Sequence, residues 1–339
     1  MATLAELIRF QPSFMKVNFM FKYLYATLFV LCSLGAFGQL SGSYTIDPTS
    51  SAAKNYTSVK AALSALSSQG VSAPVSFQVE NGTYTGLHKV DSIPGASPKN
   101  SITFMGDSLD SSKVLLKSAQ DAVTLHINGA KHLHFRYITF ENTYTSTYYN
   151  LFINHGDSNS FESCNFKSNT NGLFGYNAYL NDAEYNSFKN CHFEGGYNNV
   201  YLFGAGVNIK SYGNAFQGCV LEKQYYNGFS QYYCSHTSFI KSSIDSFVNG
   251  RNGYAFDAYS SNAITLTQSK IWGSGTTLYL SFCNFYSSPS TDTNWISSNM
   301  IGGGYYATVY SYQSNRCNFL NNSIEHSDGD AASKGVNIY

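Results

Sequence analysis

The hexad Phe135-Arg-Tyr-Ile-Thr-Phe140 returns as Phe161-Glu-Ser-Cys-Asn-Phe166, Phe188-Lys-Asn-Cys-His-Phe193 and Phe216-Gln-Gly-Cys-Val-Leu221. It continues as Phe239-Ile-Lys-Ser-Ser-Ile244, Leu266-Thr-Gln-Ser-Lys-Ile271, Ile296-Ser-Ser-Asn-Met-Ile301 and Phe319-Leu-Asn-Asn-Ser-Ile324. Successive copies begin 26, 27, 28, 23, 27, 30 and 23 residues apart. A near-constant period of this length marks a repeat architecture, in which each unit buries its apolar face only against its neighbours.

Parity within the hexad predicts the shape of the repeat. The fourth and sixth positions share parity and face one side of a strand, yet the first position is apolar with opposite parity. The chain must therefore turn a corner between them. The corner falls on Ser163, Asn190, Gly218, Lys241, Gln268, Ser298 and Asn321, mostly turn-capable residues, with Tyr137 the exception. A coil that folds back on itself at this period is a turn of parallel β-helix. The last hexad can also be aligned one residue later, with Leu320 as anchor.

The fourth position reads Ile138, Cys164, Cys191, Cys219, Ser242, Ser269, Asn299, Asn322. Coils about 4.8 Å apart would stack these side chains directly, giving an internal ladder in which the cysteines act as small buried hydrophobes. Cys234, Cys283 and Cys317 show no zinc spacing, and their pairing stays open. A second strand per coil is expected between hexads, at Leu151–Ile153, Val200–Phe203, Tyr254–Phe256, Thr277–Leu280 and Ala307–Tyr310. Loops such as Tyr225-Tyr-Asn-Gly-Phe229 would join the two.

Composition agrees with this reading. Charged residues make up 12% of the 339 residues, while Tyr (28), Phe (25) and Gly (28) abound. Lys and Arg balance Asp and Glu at 20 each, so there is no electrostatic footprint for nucleic acid or an anionic membrane.

At the N-terminus, Lys16 and Lys22 precede the apolar run Tyr25–Leu34, which closes on Gly35, Ala36 and Gly38. The pattern predicts a signal peptide over 1–38, with an upstream extension before Met15 and cleavage after Gly38. The run is shorter than the roughly 20 residues a bilayer span needs. No membrane span is expected once it is removed, and the expected location is secreted or cell-surface. Residues 39–73 are expected to form an N-terminal strand and a helix, the helix from apolar spacing across Tyr56–Leu66 with a stop at Gly70. The β-helix is expected over 74–339. The chain ends at Val336-Asn-Ile-Tyr339 in strand-like sequence, which predicts a C-terminally truncated solenoid.

A short helix, the strand Pro74–Val79, the turn Glu80-Asn-Gly-Thr-Tyr84 and the strand Ser101–Gly106 resemble the opening of pectin-lyase-like β-helix proteins, where the helix caps the first coil. With Gln39–Ile46, the chain is similar to secreted surface or adhesin-type β-helices of Gram-negative bacteria. The resemblance implies an all-β, right-handed parallel β-helix of roughly ten coils. It also implies extracellular glycans or cell-surface polysaccharide as partners.

The acid, Arg–Ile–Lys and Gly–His–Gly series of pectin-degrading relatives are not found. The candidates for catalysis are Arg136, Glu162, Lys189 and His192, outward positions on successive coils. Lys189 or His192 could act as base, with Arg136 neutralising a uronate. Against this stands a solvated charge ladder of little energetic weight. Asp245, Arg251 and Asp257 form a comparable group in one coil's loop. No motif points to a metal; Asp328-Gly-Asp330 carries oxygens that Ca²⁺ favours but lacks the remaining ligands. His132 and His134 share a strand face without a third ligand.

Tyrosines concentrate between hexads. Tyr176, Tyr179, Tyr225, Tyr226, Tyr232 and Tyr233 are the candidate ligand-binding residues, since aromatic faces with polar tips suit sugar rings. Tyr148, Tyr149, Tyr197, Tyr305 and Tyr306 recur at related offsets. The alternative is that these rings merely cover the corners of a thin solenoid. The functional expectation is a non-catalytic adhesin or glycan-binding scaffold. The second expectation is a polysaccharide lyase or glycoside hydrolase acting on acidic polysaccharide along the outer face.

Overall fold

The computed structural model describes residues 38–168, 174–208, 211–245, 247–248, 253–284, 292–326 and 334–339. The expected signal peptide, Arg251 and Asp328-Gly-Asp330 lie outside them. The described chain is a parallel β-solenoid of about ten turns, and each regular turn contributes one short strand to each of three sheets.

Each hexad spans two of these sheets. Its first residue lies on the first sheet, as Phe161 does on Ser160–Glu162, and its last on the second, as Phe166 does on Asn165–Ser168. Between them Tyr137, Ser163, Asn190, Gly218, Lys241, Gln268, Ser298 and Asn321 all adopt left-handed backbone, with φ between 50° and 65°. Tyr137 therefore turns the same corner as the polar residues. Packing on both sides overrides its local reluctance.

The core is built from columns. On the first sheet Phe77, Phe104, Phe135, Phe161, Phe188 and Phe216 stack with ring centroids 4.6–5.3 Å apart. On the second, Phe140, Phe166 and Phe193 repeat the pattern at 5.1 and 4.7 Å. Each buried ring removes apolar area from water, worth ~1.5–3 kcal/mol. The columns also fix register, because a one-residue slip would turn every ring outward. Register also resolves the last hexad, since Phe319 lies opposite Ile296 and Leu320 opposite Ser297.

The fourth-position ladder is present. Ile138, Cys164, Cys191, Cys219, Ser242, Ser269 and Asn299 are buried, and all six described cysteines are free thiols. The Cys164, Cys191 and Cys219 thiols satisfy themselves by reaching carbonyl oxygens of the preceding coil at Phe135, Phe161 and Phe188. At the lower end Asn299 donates to Oδ1 of Asn322 at 3.0 Å.

The helix runs over Val59–Gln69, three residues later than expected. Asn55–Tyr56 instead pairs with the strand Leu40–Ile46. Ser58 then caps the helix by accepting from the Ala61 N–H at 3.1 Å. Gly70 ends it at φ 71°. The helix buries Val59, Ala62, Leu63, Ala65 and Leu66 into the same core as the first coils, and Leu40–Ile46 extends the first sheet by pairing with Val71–Val79.

Two local expectations are corrected. Tyr225–Phe229 is not a loop throughout, because the strand Asn227–Tyr232 begins within it. Phe229 is fully buried and stacks on Phe256 at 4.9 Å. His132 and His134 do not share a strand face. His132 turns a corner at φ 59°, while His134 lies on the strand Leu133–Arg136 with Nδ1 2.5 Å from Ser160 Oγ.

Candidate functional site

The third sheet carries an aromatic outer face. In register, its outward positions run Lys89, His126, Phe152, Tyr179, Tyr201, Ser230, Asp257, Tyr279, Tyr310, Asn337. Neighbouring rings stack nearly parallel: His126 on Phe152 at 5.0 Å, Tyr179 on Tyr201 at 5.1 Å and Tyr279 on Tyr310 at 5.2 Å. Tyr149 and Tyr176 form a flanking pair at 5.3 Å. Phe152 and Tyr179, between these pairs, meet edge-on at 5.4 Å. Burial raises the phenols of Tyr149 and Tyr176, and that of Tyr179 to about 12, so they remain neutral donors at ordinary pH.

A second tyrosine cluster lies beside this column. Tyr197, Tyr225, Tyr226, Gly253, Tyr254, Thr276 and Tyr306 line a recess of about 430 Å³, within the ~300–1,000 Å³ typical of small-ligand sites. Tyr197 stacks on Tyr226 at 5.0 Å, but Tyr226 and Tyr254 stand at 79° to each other, so the walls meet as a corner. Gly253 makes this corner possible. Its φ is 107°, and a Cβ there would lie 1.8 Å from the Tyr226 carbonyl oxygen. Only glycine lets the two coils approach so closely.

Three residues along the strand from the recess residue Tyr254 lies an acid. Asp257 is 2% exposed and accepts a 2.8 Å hydrogen bond from the Tyr232 hydroxyl. Burial pushes its carboxyl up to about 7, against the lowering effect of that bond. Tyr232 belongs to the adjacent outward column but leans over Ser230 to stack on Tyr201 at 5.4 Å. The Ser230 hydroxyl beneath is buried with no hydrogen-bond partner. The carboxyl also raises the phenol of Tyr254, a recess wall, after the larger effect of burial.

No protein-family model matches the sequence, and no curated protein matches it. Solved structures do. A rhamnogalacturonan lyase superposes with a TM-score of 0.53 at 15% identity, covering 87% of each chain. Pectate lyase Pel9A gives 0.53 at 14%, covering 89% of this chain and 78% of that one. The A-module of the Azotobacter vinelandii mannuronan C-5 epimerase AlgE6 gives 0.52 at 10%, covering 89% and 94%. The chain has the right-handed parallel β-helix fold of these structures. At such identities the β-helix architecture is what is shared.

The β-helix separates the four ionic candidates. Arg136, Glu162 and Lys189 share one column of the first sheet. Glu162 bridges Arg136 at 2.9 Å and Lys189 at 3.7 Å. His192 instead lies on the second sheet with Nε2 3.2 Å from Glu222. The three first-sheet groups thus engage one another, and His192 faces a different partner.

The candidate tyrosines divide evenly: Tyr225, Tyr226 and Tyr233 lie between strands, as expected, and the other three lie on strands. Tyr176 and Tyr179 lie on the strand Gly175–Asn181, and Tyr232 on Asn227–Tyr232. Tyr225 and Tyr226 line the recess, while Tyr233 turns a corner at φ 55° and packs edge-on against Phe203 and Tyr259. Asp257 is likewise a strand residue, on Tyr254–Tyr259, and Asp245 pairs with Lys270 at 2.7 Å. Sequence reasoning missed Tyr254 as a site residue and treated Asp257 as a loop acid. The available signal was an Asp aligned with Phe152, Tyr179 and Tyr201 once third-sheet strands are registered. Among the described residues no group of three or more His, Cys, Asp or Glu is placed to hold a metal, and no helix is long and apolar enough to cross a membrane.

Proposed function

We propose that this protein is an extracellular glycan-binding scaffold that seats a sugar residue in the tyrosine recess and does not cleave the chain. The observation that carries this reading is the corner of aromatic walls formed by Tyr197, Tyr226 and Tyr254 around about 430 Å³. Sugar rings present flat C–H faces that pack on aromatic rings, while their hydroxyls need polar tips nearby. A chain leaving the recess along the solenoid axis would meet the hydroxyl row of Tyr176, Tyr179 and Tyr201. Three solved structures of the same architecture bear the names of polysaccharide-acting enzymes, which supports a saccharide partner. The apolar run Tyr25–Leu34 supports export, to the medium or the cell surface.

The test is a glycan array followed by calorimetry on oligosaccharides that bind. Tyr226→Ala and Tyr254→Ala should each weaken binding at least about tenfold, equivalent to ~1.4 kcal/mol. Binding unchanged in both variants overturns the recess as the site. Unsaturated or reducing ends released from pectin, alginate or chondroitin would establish turnover and overturn the non-catalytic role.

A further inference from the structure

Near the tyrosine recess lies a carboxyl that, among the described residues, no cation balances. Two small polar residues, Ser230 and Asp257, interrupt the aromatic column between Tyr201 and Tyr279. The gap is closed by Tyr232, whose ring stacks on Tyr201 and whose hydroxyl reaches Asp257. Tyr232 is the titratable group that acts on Asp257, and Asp257 in turn raises Tyr201 and Tyr232 from preceding coils and Tyr254 on its own strand. Tyr279 is its register partner on the following coil, and the Cys283 thiol lies beyond. Among the described residues no lysine, arginine or histidine is paired with it.

Tyr254 belongs to both places. Its ring lines the recess and packs at 4.8 Å on Tyr279, the register partner of Asp257, so the recess wall and the surroundings of the carboxyl have these two rings in common. We infer that saccharide binding in the recess is proton-linked through Asp257, and is tighter when that carboxyl is neutral. This rests on the saccharide reading of the recess.

The sign follows from desolvation. A ligand seated on Tyr254 favours the closed wall, and that dry enclosure disfavours the charged form of the carboxyl. Binding then takes up a proton, and by linkage the affinity falls as the carboxyl ionises. In the free protein burial already holds the titration near 7, so the loss falls across neutral pH. Above it, an uncompensated carboxylate draws water in past Tyr232 and Tyr254, loosening the wall the sugar needs.

The experiment uses the full chain and hexasaccharides of galacturonate, mannuronate, galactose and glucose, titrated at about pH 5.5 and about pH 8.5. Galacturonate and mannuronate are ionised at both values, so their own charge does not vary. Binding should weaken at least about fivefold at the higher pH. Asp257→Asn, which keeps an acceptor for Tyr232 without a charge, should bind at both pH values with the affinity the wild type shows in acid. Tyr232→Phe removes the hydrogen bond that lowers the carboxyl, and should move the midpoint of the affinity change to higher pH. A wild-type affinity that does not change with pH, or a change that persists in Asp257→Asn, overturns proton linkage and leaves the saccharide reading standing. Failure of all four hexasaccharides to bind at either pH overturns both.

Discussion

The Tyr232 hydroxyl donates a 2.8 Å hydrogen bond to Oδ2 of Asp257, from one coil of the third sheet to the next. The tyrosine roofs a carboxyl that is 2% exposed. Enclosure of this kind disfavours the charged form of the carboxyl.

Stability should therefore fall as pH rises through this titration. The folded carboxyl titrates at about 7 against an ordinary value of 3.8, so the folded state holds its proton more tightly than the unfolded chain. The advantage is fully present below about pH 4 and is lost by the time pH passes 7. The difference of roughly three pH units corresponds to ~4 kcal/mol as an upper order of magnitude. His88 slopes the other way. Burial depresses its imidazole to about 4, so its share of stability is lost as pH falls from about 6.5 towards 4. Urea midpoints of wild type minus Asp257→Asn, measured across pH, isolate the carboxyl. A flat difference curve would exclude the role assigned to Asp257.

Adjacent residues of one hexad should differ sharply in cost. Phe161 is fully buried between Phe135 and Phe188, so Phe161→Ala should destabilise by about 3–5 kcal/mol. Glu162 next to it is a partly exposed ion-pair bridge, and Glu162→Ala should cost less than ~1 kcal/mol. Equilibrium denaturation of both variants checks the contrast.

The stacked thiols should be inert. Cys164, Cys191, Cys219, Cys234 and Cys283 are buried, and burial raises Cys191, Cys219 and Cys283 further. Since the thiolate is the reactive form, maleimide labelling of the native protein at mildly alkaline pH should spare these five. Cys317, only partly buried, should label first. Peptide mass mapping before and after unfolding reads the outcome.

Gly253→Ala should damage the recess. Its Cβ would fall 1.8 Å from the Tyr226 carbonyl oxygen on a left-handed backbone, so the two walls must part at a cost of about 1–3 kcal/mol or more. Binding of any saccharide to the recess should fall with it. Gly206→Ala, where a Cβ would meet nothing within 4 Å, serves as the control in the same binding and melting measurements.

Much of the coil was legible beforehand. The first-position phenylalanines, the corner residues and the Cys–Ser–Asn column occupy the expected places because hexad parity and near-constant period are local properties of the chain. The tyrosine face was legible only as a cluster. Its strands are set by pairing between coils some 27 residues apart, so loop and strand could not be told apart at Asn227–Phe229. The reading of the third strand stopped at Phe256, one residue short of Asp257.

The sequence by itself determined that this chain coils, how often, and which side chains point inward, since apolar burial at a fixed period leaves few alternatives. Only the tertiary structure decided that tyrosines from successive coils stack, that others gather into a recess around Gly253, and that an acid accepts from Tyr232. Those outcomes depend on side chains from different coils meeting across the sheet, and burial, which sets the charge of Asp257, exists only once they have met.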